Sequence, residues 1–496
     1  MGRLLYIVER FTFRHPLITQ FLKRRFTPDE AFGLHLTIGI AIILVCIVVF
    51  YTTLETIKWQ DPFIQYDVAI INLAQVFRGA SFNASMLFLT DLGRWEVVAV
   101  GLILALLLFL FLRMWHAIVA LIISVVGAEF FILLGTLLVK RPRPYLVNTT
   151  AIEVGFSFPS SHTLLAVSFY GFLTYLLFRT TQRVWLRATI AILGAAIVGC
   201  IGFSRIYLGV HWPSDVIASI ALGSAWLATL ITSLEVRRRL KRGMMIRPKQ
   251  SPVLILLYAC IGTFFFLLYA SYFFRTHPLR TALDPSLDRI ELAQHEIIPA
   301  FMAQLPRYTE EVTGSSTEPI NVVLVGTPED IHSAFLASGW VASDELTMKN
   351  ALRSAYATVF QRSYPEAPGI TTFWNGRPND ISYEKLVTKR SLKRRHHIHI
   401  WETPYSIDGA REVWVGAVHF DERIKLKSRI LIPVHAIDPD IDSEREALRQ
   451  DFRAHGVSAS DEEFHMVQPA SGKTLVGDEF FTDGKAVIIY LEPNRF

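Results

Sequence analysis

The chain has 496 residues, 51% of them hydrophobic, with a formal net charge of +5 and a mean hydropathy of +0.35. That hydropathy excludes an ordinary soluble protein. The small basic excess falls short of the concentrated basic face that nucleic-acid binding needs, so no nucleic-acid partner is expected. Residues 31–274 are dominated by long apolar runs, and residues 275–496 have the mixed composition of a globular domain. The length therefore divides into a membrane part and a soluble part.

Residues 1–30 form a basic segment that includes Lys23-Arg24-Arg25. A transmembrane helix needs roughly 20 mostly apolar residues. Seven stretches meet or approach that length: 32–52, 95–112, 116–139, 160–178, 187–203, 213–234 and 252–274. A shorter apolar stretch near 80–92 is broken by polar residues and is expected to be interfacial. The first span starts too late and runs too long for a cleaved signal peptide. All three cysteines, Cys46, Cys200 and Cys260, fall inside apolar runs, so they say nothing of the soluble part's redox compartment.

Lysine and arginine in short flanks set orientation. Lys23 to Arg25, then Arg179, Arg183 and Arg187, then the run from Arg237 to Lys249 all fall on one side of a seven-span bundle. We expect that side, with the N-terminus, to be cytoplasmic. The soluble part then lies across the membrane. Lys140-Arg141-Pro142-Arg143-Pro144, at the outer end of the third span, opposes this bias, so a specific use is expected of it. Glu129, inside the same span, is expected to pair with a basic residue on another helix. Asp91 and Arg94, around Gly93, read equally well as a local cap.

Two more polar clusters fall at that outer face. Phe158-Pro159-Ser160-Ser161-His162 opens the fourth span, and Ser204 to His211 closes the fifth, with Asp215 four residues on. Lys140, Arg143 and Arg205 supply fixed positive charge, and guanidinium groups match phosphate oxygens bidentately. The hydroxyls of Ser160 and Ser161, with the N–H groups of a helix start, add donors to an anion. Of His162 and His211, one can attack phosphorus while the other protonates the leaving oxygen. Asp215 stands close enough to orient the His211 imidazole.

Arg143-Pro144, Pro159-Ser160-Ser161-His162 and Ser204-Arg205-x5-His211-x3-Asp215 together resemble the three-part signature of the type 2 phosphatidic acid phosphatase superfamily, which is similar in its site to the vanadium haloperoxidases. The resemblance covers about residues 85–235. It implies that His211 is the nucleophile, His162 the general acid and Asp215 the residue that orients His211. It also implies that Arg143, Arg205 and Ser160 bind phosphate. The family's lysine, seven residues before the Arg-Pro arginine, is Thr136 here. Lys140, three residues before Arg143, either substitutes from a different angle or leaves the site one charge short. Ser161 stands where many members have glycine.

In the soluble part, 320–325 reads as a buried strand. Thr327-Pro328-Glu329-Asp330 then starts a helix, with Thr as N-cap and Pro at the first helical position, and Gly339 ends it. Strands are expected at 395–401, 412–420, 429–435 and 485–491, and a helix near 442–455. Arg395, His397, His399 and Trp401 alternate onto one strand face. With His419, His435, Asp438 and Asp442 they form either a metal or phosphate site or a polar sheet face of hydrogen-bonded histidines. We favour the sheet face and assign no metal. Arg395 to Trp401, Gly339-Trp340 and Val413-Trp414-Val415-Gly416 resemble the LssY-type C-terminal domain of bacteria, which implies an architecture and no activity.

The expected fold is a multi-span α-helical membrane bundle followed by a soluble α/β domain. A six-helix phosphatase core occupies 31–235, a basic loop and seventh helix 236–274, and the LssY-type domain 275–496. The expected function is hydrolysis of a lipid phosphomonoester or diphosphate through a phosphohistidine, without cofactor or metal. Undecaprenyl diphosphate, phosphatidic acid and phosphatidylglycerol phosphate are the substrates that the family likeness implies. The alternatives are a lipid phosphotransferase and a catalytically weak phosphate-binding protein. The expected location is a bacterial inner membrane, with the active site and C-terminal domain periplasmic or extracellular. Membrane lipids contact the basic run 237–249, and the C-terminal domain is open to a protein or glycan partner.

Overall fold

A computed structural model describes residues 25–27, 32–59, 64–77, 80–144, 155–240, 289–344, 371–387, 394–426, 433–473 and 479–493, with isolated positions between 262 and 273 and between 350 and 368. Most of the expected seventh span, the basic residues beyond Leu240, Lys23 and Arg24 lie outside the described residues. The chain divides into two compact units, broadly residues 1–283 and 284–496, with Val68–Gly79 grouped with the second.

The first unit is helical, with α2 running past Asp67 into the segment grouped with the second: α1 (Leu34–Trp59), α2 (Ile64–Val76), α3 (Ala80–Asp91), α4 (Trp95–Phe111), α5 (Trp115–Val139), α6 (Ser161–Thr180), α7 (Val184–Tyr207) and α8 (Pro213–Leu240). Helices α1, α5, α6, α7 and α8 are each long and apolar enough to cross a membrane; α3 and α4 reach that length together, across a 52° bend. The stretch near 80–92 is thus one arm of a bent pair. The bend falls at Leu92-Gly93-Arg94, where the Gly93 and Arg94 amides turn back onto the Thr90 and Asp91 carbonyls.

Helices suit this setting because every backbone polar group away from their ends is satisfied within the segment. Leu108, Leu121, Leu164 and Phe172 pack inward, whereas Leu107, Leu133, Leu138 and Ile192 stay exposed, as lipid-facing side chains would be. Small residues let helices approach closely: a Cβ on Gly127 of α5 would land 2.4 Å from the Trp226 ring of α8. Glu129 is exposed on α5 and pairs with no basic residue among the described ones. That corrects the expected interhelical pair, because the position faces out of the bundle.

The second unit is built on a mixed sheet. Nine of its described strands are β1 (Ile290–Leu292), β2 (Val322–Gly326), β3 (Val341–Ala342), β4 (Ile381–Leu386), β5 (Arg395–Ile407), β6 (Arg411–Leu426), β7 (Pro433–Ile437), β8 (Ser458–His465) and β9 (Lys485–Leu491). The order is β8-β9-β2-β6-β5-β4-β3. β9 runs parallel to β2, β1 adds parallel to β5, and β7 adds antiparallel to β6. Both faces are covered. Helix α9 (Ile297–Gln304) packs Ile297 and Phe301 against Trp401, Val415 and Ile488 on one face. Helices α10 (Pro328–Ala337) and α11 (Ile441–Ala454) pack Phe335, Leu448 and Phe452 against Ile398, Val487 and Ile489 on the other.

Thr327 caps α10 as expected: its hydroxyl accepts from the Asp330 amide at 3.1 Å, and the Asp330 carboxylate returns the bond to the Thr327 amide at 2.9 Å. Gly339 follows with φ +79°. The strand expected at 395–401 runs on to Ile407, where it pairs with the start of β6, and the strand expected at 412–420 runs on to Leu426, where it pairs with β7. Of the strand expected at 429–435, only residues 433–435 are described, and they belong to β7.

Candidate active site

Helix ends assemble the polar cluster. Ser160 is the N-cap of α6, His211 sits in the short turn between α7 and α8, and Asp215 is in the first turn of α8. Ser160, Arg205, His211 and Asp215 are all at most 1% exposed.

His211 is held by its backbone neighbour. Its Nδ1 lies 2.6 Å from the Ser157 carbonyl oxygen. A carbonyl can only accept, so Nδ1 carries the proton and Nε2 keeps its lone pair. Burial pushes the imidazole below its usual value against the pull of Asp215, which keeps the neutral form available. Arg143 Nη1 lies 3.3 Å from Nε2 and is anchored by the Val210 carbonyl at 2.8 Å; Arg143 Nε donates to the Gly155 carbonyl. Asp215 Oδ2 is 3.9 Å from His211 Nδ1 and accepts from the Trp212 amide at 3.0 Å. Asp215 therefore acts on His211 through charge, and the Ser157 carbonyl takes the hydrogen bond.

Ser160 donates its amide to Ser219 Oγ at 2.8 Å, and its hydroxyl meets Thr163 Oγ1 at 2.9 Å. Arg205 Nη1 donates to Thr90 Oγ1 at 2.6 Å. His162 opens α6 within electrostatic reach of Arg205, His211, Arg94 and Arg143. Its Nδ1 lies 3.5 Å from Ser161 Oγ. Gly93 packs beneath it: a Cβ there would stand 2.9 Å from His162 Cβ.

Of the eight expected residues, all but Ser161 and Lys140 thus converge, with Ser161 beside His162. Lys140 is not brought into the set. It is exposed and forms the left-handed C-cap of α5, with φ 48°. Its neighbour Arg141 turns inward instead and bridges two buried carboxylates. Nη1 reaches Asp215 Oδ1 at 2.7 Å and Nη2 reaches Asp67 Oδ2 at 2.8 Å. Asp67, in the first turn of α2, also accepts from the Ser214 amide at 2.9 Å. The sequence reading missed Asp67 and Ser157, and placed Arg141 in the outer-face cluster without giving it a partner. The only available signal was an acidic residue at a helix start beside an apolar run.

The histidine-rich strand separates into two groups. His397 and His399 on β5 and His419 on β6 come together, and one ring nitrogen from each lies within 4.8 Å of the others. Burial pushes His397 down to about 3 and His399 well below the usual range, so both are neutral. Arg395 joins their edge through Asp421 and Glu384. Asp442 bonds Arg445 and Thr482, and Asp438 bonds the Asp440 amide, so both are committed elsewhere. The side chain of His435 lies outside the described residues.

Residues 113–239 match the PAP2 superfamily, and residues 302–486 match the family described as LssY C-terminus. The chain is 32% identical over 184 residues to undecaprenyl-diphosphatase of Sulfolobus acidocaldarius, covering 36% of this chain and 83% of that protein. It is 28% identical over 162 residues to phosphatidylglycerophosphatase B of Bacillus subtilis, covering 32% of this chain and 77% of that protein. Among solved structures it is similar to a PAP2-type phosphatidylglycerolphosphate phosphatase from Bacillus subtilis, with 22% identity and a TM-score of 0.35, over 41% of this chain and 98% of that one. The chain is therefore an integral membrane protein that belongs to the PAP2 superfamily of lipid phosphatases and carries an LssY-type C-terminal domain.

Proposed function

We propose that this chain hydrolyses a lipid phosphomonoester or diphosphate through a phosphohistidine on His211. The observation that carries the reading is the Ser157 carbonyl on His211 Nδ1, which leaves the Nε2 lone pair facing the Arg143 guanidinium. An incoming phosphate, held by Arg143 and Arg205, would present phosphorus to that nitrogen. The Nε2–P bond forms as the P–O bond to the lipid breaks, and His162 gives its proton to the departing oxygen. Water then attacks the phosphohistidine, His162 takes the water proton, and phosphate leaves with His211 restored. Ser160, Ser161 and the amides at the start of α6 add donors for the phosphate oxygens. Asp215 steadies the positive charge that develops on His211. The fixed positive charge in this scheme comes from arginines, and it calls on no metal.

The substrate class follows from the site's place at helix ends in an apolar bundle, where a headgroup reaches the pocket while its chains stay in lipid. Undecaprenyl diphosphate and phosphatidylglycerol phosphate are the first to test, given the names of the relatives, with phosphatidic acid beside them. The basic flanks support a cytoplasmic N-terminus and a site on the opposite face of a bacterial inner membrane.

The experiment is phosphate release by detergent-purified full chain from these lipids in EDTA, with His211→Ala alongside. Turnover by wild type that vanishes in the variant is the expected result. Phosphate appearing on a second lipid instead of water would replace hydrolysis by transfer. Background release from a folded wild-type preparation on every lipid would leave a phosphate-binding protein.

A further inference from the structure

The second unit buries a polar patch on a sheet face that is otherwise apolar. Antiparallel register sets Trp401 opposite Val415, His399 opposite Ala417, His397 opposite His419 and Arg395 opposite Asp421. On the other side of β5, Ser382 stands opposite His399 and Glu384 opposite His397. Side chains on one face alternate along each strand, so the apolar core beginning at Trp401 gives way, two residues at a time, to three imidazoles. His397 and His399 are 3% exposed and His419 is 8% exposed. Nothing in the phosphatase chemistry proposed above uses them.

Each ring has a polar neighbour at Nδ1. His399 Nδ1 bonds Ser382 Oγ at 3.0 Å, His419 Nδ1 lies 3.0 Å from Glu318 Oε2, and His397 Nδ1 lies 3.7 Å from Asp421 Oδ2. An outward partner on one ring nitrogen leaves the other to point inward, which is how metal-ligating histidines are held. His397 Nε2 is buried with no hydrogen-bond partner among the described residues. A buried nitrogen acceptor left unmatched is costly unless something supplies a charge or a proton. Glu318, Glu384 and Asp421 surround the imidazoles, facing the guanidinium of Arg395. Three carboxylates thus stand around the rings against one guanidinium. That excess repels an anion and suits a cation.

We propose that His397, His399 and His419 bind a divalent transition-metal ion, with Zn2+ the best match to a three-imidazole set. Asp421 Oδ1, 3.6 Å from His419 Nε2, is placed to fill a fourth position. Zinc–nitrogen bonds of about 2.0–2.1 Å put tetrahedral ligand atoms about 3.4 Å apart. The rings, now within 4.8 Å, close on the ion by small side-chain rotations. The ion ties β5 to β6 inside the sheet and offsets the buried carboxylates.

The test uses tag-free full chain in detergent, stripped with a chelator, reloaded with Zn2+ and dialysed, with metal counted by mass spectrometry. One zinc per chain is expected for wild type and for His211→Ala, and loss of nearly all of it in His399→Ala and His419→Gln. Zinc should also raise the unfolding temperature of the stripped wild type. Co2+ added to that same wild type should give the intense visible bands of a four-coordinate ion, a readout that needs no variant to fold. Stripped wild type that takes up no zinc and gives only the weak bands of six-coordinate Co2+ would overturn the proposal, as would full zinc retention in both histidine variants. Loss of phosphatase turnover alone bears on the other site.

Discussion

Replacing Arg141 by leucine would leave Asp67 and Asp215 facing each other without the cation they share. The guanidinium is 7% exposed and the carboxylates 5% and 0%. Opposite unit charges with centres about 4 Å apart attract by about 4 kcal/mol at an effective dielectric of about 20. Arg141→Leu removes two such attractions, and part of the loss is regained as the site takes up water. A net cost of about 3–5 kcal/mol is the usual result of stripping one partner from a buried pair. For a domain of this size that lowers the unfolding temperature by about 10 °C. The rate should fall too, because Asp215 loses the group that fixes it 3.9 Å from His211 Nδ1. A displacement of about 1 Å costs on the order of 100-fold in turnover. Arg141→Lys keeps the charge, but an ammonium cannot span both carboxylates with a rigid fork, so it should fall between wild type and leucine. Asp67→Asn removes one of the opposed charges. The double variant Asp67→Asn/Arg141→Leu should therefore lose less than the two single losses combined, by about 0.5–3 kcal/mol. Detergent melting curves and phosphate release read both quantities. Wild-type melting with full turnover in Arg141→Leu would refute the reasoning, as would strict additivity in the double variant.

Gly93→Ala places a methyl group 2.9 Å from His162 Cβ and 2.8 Å from Ile201 Cγ2. His162 or the bend between α3 and α4 must shift, and turnover should fall about 10- to 100-fold with little change in KM. Gly199→Ala, whose added carbon meets nothing within 4 Å among the described residues, is the control and should keep full activity. If both alanines are equally active, Gly93 does not position His162. Thr327→Ala removes the hydroxyl that caps α10 and should cost about 1 kcal/mol in chemical unfolding of the C-terminal domain, without touching phosphate release.

The candidate set was legible because the chemistry proposed for it is written in side chains that cluster at span ends. Hydropathy places the helices, and the short polar runs at their tips then meet on one level. What sequence cannot supply is direction. Lys140 and Arg141 are neighbours with the same charge, and only the left-handed turn at Lys140 decides that Arg141 faces the carboxylates. Ser157 contributes a backbone carbonyl, which every residue has, so no residue type marks it. Asp67 lies 74 residues before Arg141 and meets it only in the folded chain. The histidine strand obeys the same rule. Period-two alternation correctly puts His397 and His399 on one face, but it is silent on which residue of another strand stands across from them. Pairing of β5 with β6 brings His419 opposite His397, while Asp442 belongs to a helix that answers to Arg445. The sequence could name eight candidate residues for that face without saying which of them meet. Register gathers three of them, His397, His399 and His419, into one buried cluster beside Glu318, Glu384 and Asp421.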